Sequence, residues 1–166
     1  MLQIKSNEKM SIKTKINGKD YEAEVETRKL LSDFLREDVA LNGTHVGCEH
    51  GVCGACTIIV DNKAIRSCLM FAIQIDGAEL YTIEGLQKKE LGSSLKEAFS
   101  KHHALQCGFC TAGILMSSVE FLYENKNPTE RETREMLSGH LCRCTGYEGI
   151  VEAVMEVSRE INTGGE

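Results

Sequence analysis

The sequence predicts an α+β protein in which a small mixed sheet packed on one helix is followed by a helical half. Three observations support this prediction. Apolar residues alternate with polar ones in the first half, and after Ile83 they recur at three- and four-residue spacings. The eight cysteines divide equally between the two halves. We therefore expect two domains, at residues 1–83 and 84–166. The expected linker lies near residues 83–90, where Gly85, Gly92 and the run Gln87-Lys88-Lys89-Glu90 break the pattern.

The first half begins with a predicted β-hairpin. Polar and apolar residues alternate from Ser11 to Ile16 and again from Tyr21 to Val25, and the Asn17-Gly18 pair between them is a strong tight-turn signal. Apolar residues at helical spacing between Leu30 and Leu35 predict a short helix, for which Thr27 is the expected N-cap. The order is thus strand, strand, helix.

The rest of the first half contains a loop and three predicted strands. A glycine-rich loop runs from Gly43 to Gly54. Residues 57–60 and 63–66 flank the turn residues Asp61-Asn62, which predicts a second hairpin, and residues 79–83 supply a final strand.

The second half has the periodicity of helices. Apolar residues at helical spacing lie around residues 86–99 and 114–122, and two further helices are expected at about 130–137 and 147–161. Thr129 and Glu132 follow Pro128 with the spacing of a capping box, in which each side chain satisfies an amide of the other residue. The 130–137 helix is therefore expected to begin there.

Composition and charge exclude several classes of function. The net charge of −6 argues against a nucleic-acid partner, because phosphate binding requires a basic face. No apolar run approaches the ~20 residues of a membrane helix, and the polar start lacks the apolar core of a signal peptide. We expect a soluble, cytoplasmic protein, in whose reducing environment eight cysteines favour metal ligation over disulfides.

The first four cysteines have the spacing of a plant-type 2Fe-2S site. Cys48, Cys53, Cys56 and Cys68 form C-x4-C-x2-C-x11-C, so that three thiolates come from one loop and the fourth from the end of the 63–66 strand. Glycines at 47, 51 and 54 let such a loop curl and point amides at sulfur. The alternative is a four-cysteine zinc site, although such sites usually pair two C-x2-C knuckles.

The spacing of the other four cysteines is less specific. Cys107 and Cys110 form C-x2-C, Cys142 and Cys144 form C-x-C, and this pattern suits zinc and 2Fe-2S about equally. Cys110 is expected where a helix begins, and the second pair between the last two helices, so that helix ends converge on one centre. Nearby histidines are expected to be surface or capping residues rather than ligands: His102, His103 and His140.

Three segments together resemble one known family. They are GCEHGVCGACT from Gly47 with Cys68 after it, LQCGFCTAG from Leu105, and GHLCRCTGY from Gly139. In this order and spacing they resemble the small iron–sulfur subunit of the xanthine dehydrogenase family of molybdenum hydroxylases, which includes aerobic carbon monoxide dehydrogenase. The resemblance extends from the first hairpin to the final helix. The chain reads Thr111-Ala112-Gly113 where relatives often have a central proline, a difference of small expected cost.

The resemblance implies a β-grasp ferredoxin domain followed by a four-helix bundle that holds a second 2Fe-2S cluster. It implies that electrons pass from molybdenum to the helical-domain cluster, then to the ferredoxin-domain cluster, then to FAD. Gln106 would contact the pterin of the molybdenum cofactor. A large molybdopterin-binding subunit and a medium FAD-binding subunit would hold those cofactors and carry out catalysis, and this chain would have no catalytic residue of its own.

Two other classes of function remain open at the level of the sequence. One is a free-standing ferredoxin or an iron–sulfur redox sensor, although a single-cluster carrier has no need of the helical half. The other is a colourless adaptor protein stabilised by zinc. A relay subunit, unlike either, should co-purify with a large molybdenum-binding chain.

Overall fold

The computed structural model describes residues 8–86 and 90–163, with side chains to residue 162, so that the expected linker residues 87–89 lie outside the described residues. The first half contains five strands and two short helices: β1 (Lys9–Ile16), β2 (Lys19–Glu26), α1 (Leu31–Asp33), β3 (Thr57–Val60), β4 (Lys63–Arg66), β5 (Glu79–Tyr81) and α2 (Ile83–Leu86). The second half contains four longer helices: α3 (Glu90–Lys101), α4 (Thr111–Glu124), α5 (Glu130–Leu137) and α6 (Glu148–Thr163).

The strands form one mixed sheet in the order β2-β1-β5-β3-β4. Both predicted hairpins are confirmed: β1 pairs antiparallel with β2, and β3 with β4, while β5 joins the two hairpins by running parallel to β1. Asn17 and Gly18 adopt φ values of 52° and 79°, the left-handed conformation that a type I′ turn requires. The last strand ends at Tyr81 rather than Ile83, because Ile83 begins α2.

The first helix differs from its prediction at its start. α1 continues as a π-helical turn over Phe34–Asp38, and its N-cap is Leu30 rather than the predicted Thr27. Leu30 has no side-chain oxygen, so the Leu31 amide donates instead to the Met70 carbonyl, 2.8 Å away. A tertiary contact thus replaces the side-chain cap. The apolar face of this helix is buried in the sheet's core, which includes Leu31, Phe34, Leu35, Ile12, Ile58 and Leu80.

The four longer helices enclose a second apolar core, which includes Leu95, Phe99, Ile114, Met116, Val119, Ile150 and Val154. The predicted capping box is confirmed at the start of α5. The Glu132 amide donates to Thr129 Oγ1 at 3.2 Å, and the Thr129 amide donates to Glu132 Oε2 at 2.7 Å. The helix therefore begins where the sequence predicts.

The two halves meet at one interface, called the seam below, which is centred on α4 and β3. α4 packs across β3, and the β3 residue Ile59 is buried in the core of the helical half. Gly113 of α4 permits this approach, since a Cβ atom there would lie 2.2 Å from the Gly54 carbonyl oxygen. The same packing brings the two cysteine-bearing regions together. Across residues 8–86 and 90–163, no helix is both long and apolar enough to cross a membrane.

Candidate metal centres

The first four cysteines lie around one loop and the turn after β4. Cys48, Cys53 and Cys56 belong to the loop that leads into β3, and Cys68 belongs to a 3-10 turn directly after β4. Cys56 and Cys68 are buried, whereas Cys48 and Cys53 are half-buried. The hairpin β3–β4 therefore returns the chain from the loop to the fourth cysteine, as the spacing predicts.

The loop points backbone amides at sulfur. The Cys53 amide donates to Cys48 Sγ at 3.4 Å, and this bond, with the amides of His50 and Val52, lowers the pKa of the Cys48 thiol to about 6. Positive φ values of 54° at Glu49 and 82° at Gly51 produce the required curl. Both Glu49 and His50 are exposed, as expected of loop residues that are not ligands. The loop is thus suited to hold negatively charged sulfur.

The second four cysteines lie where helices begin and end. Cys110 is the N-cap of α4 and is buried, and burial raises the pKa of its thiol to about 12. Cys142 and Cys144 lie in the loop between α5 and α6, and Cys107 lies in the loop before α4. Cys107 Sγ and Cys144 Sγ are 3.5 Å apart, and both side chains are exposed. The predicted convergence of helix ends is therefore present.

In both sets the thiols approach one another in pairs. The pairs within hydrogen-bonding reach are Cys48 with Cys53, Cys56 with Cys68, Cys107 with Cys144, and Cys110 with Cys142. Within the described residues, no three or more side chains of His, Cys, Asp or Glu form a group that could hold one metal ion. A 2Fe-2S cluster attaches two thiolates to each iron, whereas a four-cysteine zinc site gathers all four around one ion. The paired arrangement fits the cluster.

Hydrogen bonds join the two centres across the seam. The Cys53 carbonyl accepts from the Leu141 amide at 3.0 Å, and Leu141 directly precedes Cys142. Arg66, at the end of β4, donates through Nη2 to the Gly139 carbonyl at 2.7 Å. The two cysteine-bearing loops therefore contact each other through their main chains.

His140 lies in this seam, and the expectation that it is a surface or capping residue is wrong. Its side chain is only 2% exposed, and Nε2 lies 2.8 Å from Ser117 Oγ. A Cβ atom on Gly54 would lie 2.4 Å from Nδ1, so the ring fills the space beside that glycine. Burial, with the nearby charge of Arg66, lowers the pKa of His140 to about 4. The ring is thus a neutral packing element near neutral pH.

Two family models match consecutive parts of the chain. One, described as a 2Fe-2S iron-sulfur cluster binding domain, matches residues 14–80, and the other, described as a [2Fe-2S] binding domain, matches residues 82–155. The nicotine 6-hydroxylase small subunit of Paenarthrobacter nicotinovorans is 52% identical over 155 residues, which cover 93% of each protein. The chain belongs to the small iron–sulfur subunits of the molybdenum hydroxylases.

Two further proteins are similar to this chain over most of their length. The caffeine dehydrogenase subunit gamma of Pseudomonas sp. (strain CBB1) is 49% identical over 146 residues, which cover 86% of this chain and 87% of that subunit. A chain of the crystal structure of quinoline 2-oxidoreductase from Pseudomonas putida 86 superposes with a TM-score of 0.89 at 48% identity, covering 96% of this chain and 99% of that one. The predicted fold, a ferredoxin-like domain followed by a helical 2Fe-2S domain, is confirmed.

The iron–sulfur subunit exposes one edge of its second centre. Gln106, predicted from the resemblance to contact the pterin, is exposed beside Cys107, and Arg143 is exposed between Cys142 and Cys144. Three apolar side chains at this edge are also exposed, at 42%, 47% and 58%: Leu105, Phe109 and Leu141. This edge is therefore open to a partner.

The subunit also contains a positioning residue that the sequence did not reveal. The Tyr147 hydroxyl accepts a hydrogen bond from the Cys142 amide at 2.7 Å and donates one to the His140 carbonyl at 2.9 Å. Tyr147 adopts a φ of 70°, a rare conformation for a bulky residue. These two hydrogen bonds, called the clamp below, hold both ends of the segment 140–142, which leads into the second centre. Only the motif GHLCRCTGY, which contains this tyrosine, gave any signal of its presence.

Removing the clamp should weaken the second centre. We expect Tyr147→Phe to release the second cluster up to about 30-fold faster under an iron chelator, because two hydrogen bonds of about 1 kcal/mol each are lost. Following the second cluster's EPR signal over time measures the rate. The matched control is Tyr123→Phe, since Tyr123 is 57% exposed on α4 of the same half. Equal release rates for Tyr147→Phe and wild type would contradict the clamp.

Proposed function

We propose that this chain is the electron-transfer subunit of a molybdenum-dependent hydroxylase or dehydrogenase. In this proposal it carries electrons from the molybdopterin centre through two 2Fe-2S clusters to FAD, without a catalytic residue of its own. The first cluster is held by Cys48, Cys53, Cys56 and Cys68, and the second by Cys107, Cys110, Cys142 and Cys144. Domains at residues 1–83 and 84–166 would each hold one cluster.

One observation carries the proposal: the loops of the two centres are joined by the hydrogen bond from the Leu141 amide to the Cys53 carbonyl. Cys53 of one centre is thus connected to Cys142 of the other through the main chain of Leu141 and one hydrogen bond of 3.0 Å. A carrier with a single cluster has no use for such a contact. The arrangement supports transfer between clusters inside one subunit.

The exposure of the cysteines supports a direction for the relay. Cys107 and Cys144 are exposed beside Gln106, which suits entry of electrons from a pterin held by a large partner. At the first centre Cys48 is half-buried, and two apolar side chains near it, Val52 and Leu69, are 54% and 60% exposed. That face suits exit toward a medium, FAD-binding subunit. Eight cysteines that bind iron rather than form disulfides suit a reducing compartment, which supports a cytoplasmic location.

Metal analysis and EPR on the natively expressed complex test this function. We expect iron for two clusters per small subunit, two distinct 2Fe-2S signals after anaerobic dithionite reduction, and molybdenum in a co-purifying large chain. Zinc in place of iron would favour the adaptor. Enough iron for a single 2Fe-2S cluster, in a protein that purifies without a partner, would favour the free carrier.

Replacing the predicted pterin contact should separate the molybdenum step from the cluster steps. We expect Gln106→Ala in the assembled enzyme to lower substrate turnover about tenfold while both EPR signals remain, because the exposed side chain touches neither core. Electron transfer from dithionite to the final acceptor bypasses molybdenum and should be unchanged, which serves as the control. Normal substrate turnover would count against this role of Gln106.

A further inference from the structure

A groove with a volume of about 340 Å³ opens where the two halves meet, beside the loop that carries Cys107 and Cys110. Gly43 and His45 of the first half form one side of it. The remainder of its lining comes mainly from apolar side chains of the junction and the helical half, which include Ile83, Phe99, Leu105, Ala112 and Leu115. Its volume is at the low end for small-molecule sites and suits one or two side chains of another protein.

Lys96 of α3 also lines the groove, and it forms no ion pair within the described residues. The side chain is half-buried, no carboxylate lies within ion-pair distance, and burial lowers its pKa. The negative charge of Glu84 offsets the effect of burial on Lys96 only in part, from beyond ion-pair distance, and the oxygens of Glu84 accept from the Gly43 amide at 2.8 Å and from the Thr82 hydroxyl. Lys96 is thus a partly desolvated cation without an ion-pair partner.

Four other lysines behave differently. Each forms an ion pair with a carboxylate on a neighbouring strand or helix: Lys13, Lys29, Lys63 and Lys101. Of these four, Lys29 is half-buried like Lys96, and it forms ion pairs with both Glu37 and Asp38. Lys96 has no such partner among the described residues, and it lies at a groove wall that an outside carboxylate could approach.

A second polar group of the groove is also unsatisfied. Thr111 lines it, and the Thr111 hydroxyl is buried without a hydrogen-bond partner in the described part of the chain. Leu105, at the rim, is 42% exposed and directly precedes Gln106. The groove is therefore continuous with the edge of the second centre, where the proposed function places the molybdenum-binding subunit.

We propose that the groove receives a segment of the molybdenum-binding partner, with an apolar side chain against Phe99 and Leu115 and a carboxylate against the Lys96 ammonium. This inference rests on the proposed function and adds to it a binding surface and the chemistry of its occupant. Charge complementarity calls for an acidic residue, and the apolar lining calls for a neighbouring aliphatic or aromatic one. Binding would give the Lys96 ammonium the direct ion pair that it lacks within the described residues of the subunit.

Zero-length carbodiimide cross-linking of the intact complex tests the occupant, since it joins amines only to carboxylates in contact. We expect mass spectrometry to find Lys96 joined to an Asp or Glu of the molybdenum chain. The ion pairs Lys63 with Glu124 and Lys101 with Glu156 are internal positive controls. If these cross-link while Lys96 does not, or if Lys96 joins the FAD chain or a second copy of this chain, the proposal is overturned.

Charge reversal measures the contribution of the contact. We expect Lys96→Glu to weaken association with the molybdenum chain by about 30-fold or more, and Lys96→Arg to stay within about threefold of wild type. The matched control is Lys126→Glu, an exposed lysine beyond the far end of α4, which should bind as wild type does. EPR should show both clusters in every variant, which excludes misfolding as the cause.

The outcomes distinguish failure of the groove assignment from failure of the proposed function. If the wild-type subunit associates with a molybdenum chain and Lys96→Glu associates equally well, only the groove assignment is overturned. If the wild-type subunit associates with no molybdenum chain, the proposed function fails and the groove assignment falls with it.

Discussion

Replacing Cys107 with serine is expected to abolish or distort the second cluster and to leave the first unchanged. The iron content should halve, one of the two EPR signals should be lost or altered, and substrate turnover should fall by about 100-fold or more, because this cluster is the first electron acceptor in the proposed relay. Cys107 is exposed, so water can solvate the new hydroxyl and the fold itself incurs little penalty. The loss would therefore report on ligation rather than on packing.

The reciprocal variant is the control for this result. Cys48→Ser should remove or alter the other signal and spare the second cluster, since Cys48 is paired with Cys53 in the first centre. Circular dichroism should show the same secondary structure for both variants. Unchanged iron content and spectra in Cys107→Ser would overturn the assignment of the second set of cysteines.

Replacing Gly113 with alanine is expected to destabilise the subunit by about 2 kcal/mol, although alanine is normally favoured over glycine inside a helix. The added Cβ would lie 2.2 Å from the Gly54 carbonyl oxygen and 3.1 Å from Ala55 Cα, and both are backbone atoms that cannot rotate away. α4 would have to move away from the loop of the first centre. The thermal midpoint of the holo-subunit should fall by about 4–8 °C.

The control is a glycine with free space around it. Gly77 has a φ of 78° and no heavy atom within 4 Å of a Cβ built there, so Gly77→Ala should cost only about 1 kcal/mol for its backbone conformation. A second measurement connects the change to function: the magnetic interaction between the two reduced clusters should weaken in Gly113→Ala. A Gly113→Ala variant as stable as wild type would show that the seam tolerates separation.

Local chemistry made much of the fold predictable from the sequence. The Asn17-Gly18 turn, the β3–β4 hairpin and the Thr129–Glu132 capping box depend on residues close together in the chain, and the structure confirms all three. The grouping of the cysteines was predictable for a similar reason, since three cysteines of the first set lie within one loop. The cluster type of the second set was not, because its spacing suits zinc as well.

Long-range contacts account for the predictions that were wrong. Thr27 does not cap α1, because the Met70 carbonyl, distant in sequence, accepts the hydrogen bond from the Leu31 amide. His140 is buried rather than on the surface, because Gly54 of the other half leaves room for its ring. Neither partner can be identified from periodicity or propensity, which describe only neighbouring residues.

The sequence by itself determined that a mainly β-sheet half precedes a helical half, and that each half contains four cysteines. Helix and strand periodicity and cysteine spacing are properties of short segments, so they can be identified without the tertiary structure. Only the tertiary structure decided how the sets face each other. The hydrogen bond between the Cys53 carbonyl and the Leu141 amide, the close approach of Gly113 to Gly54, and the position of Lys96 in a groove lined by both halves each depend on residues brought together from separate segments. Such contacts arise when apolar faces pack, and packing is a property of the whole chain.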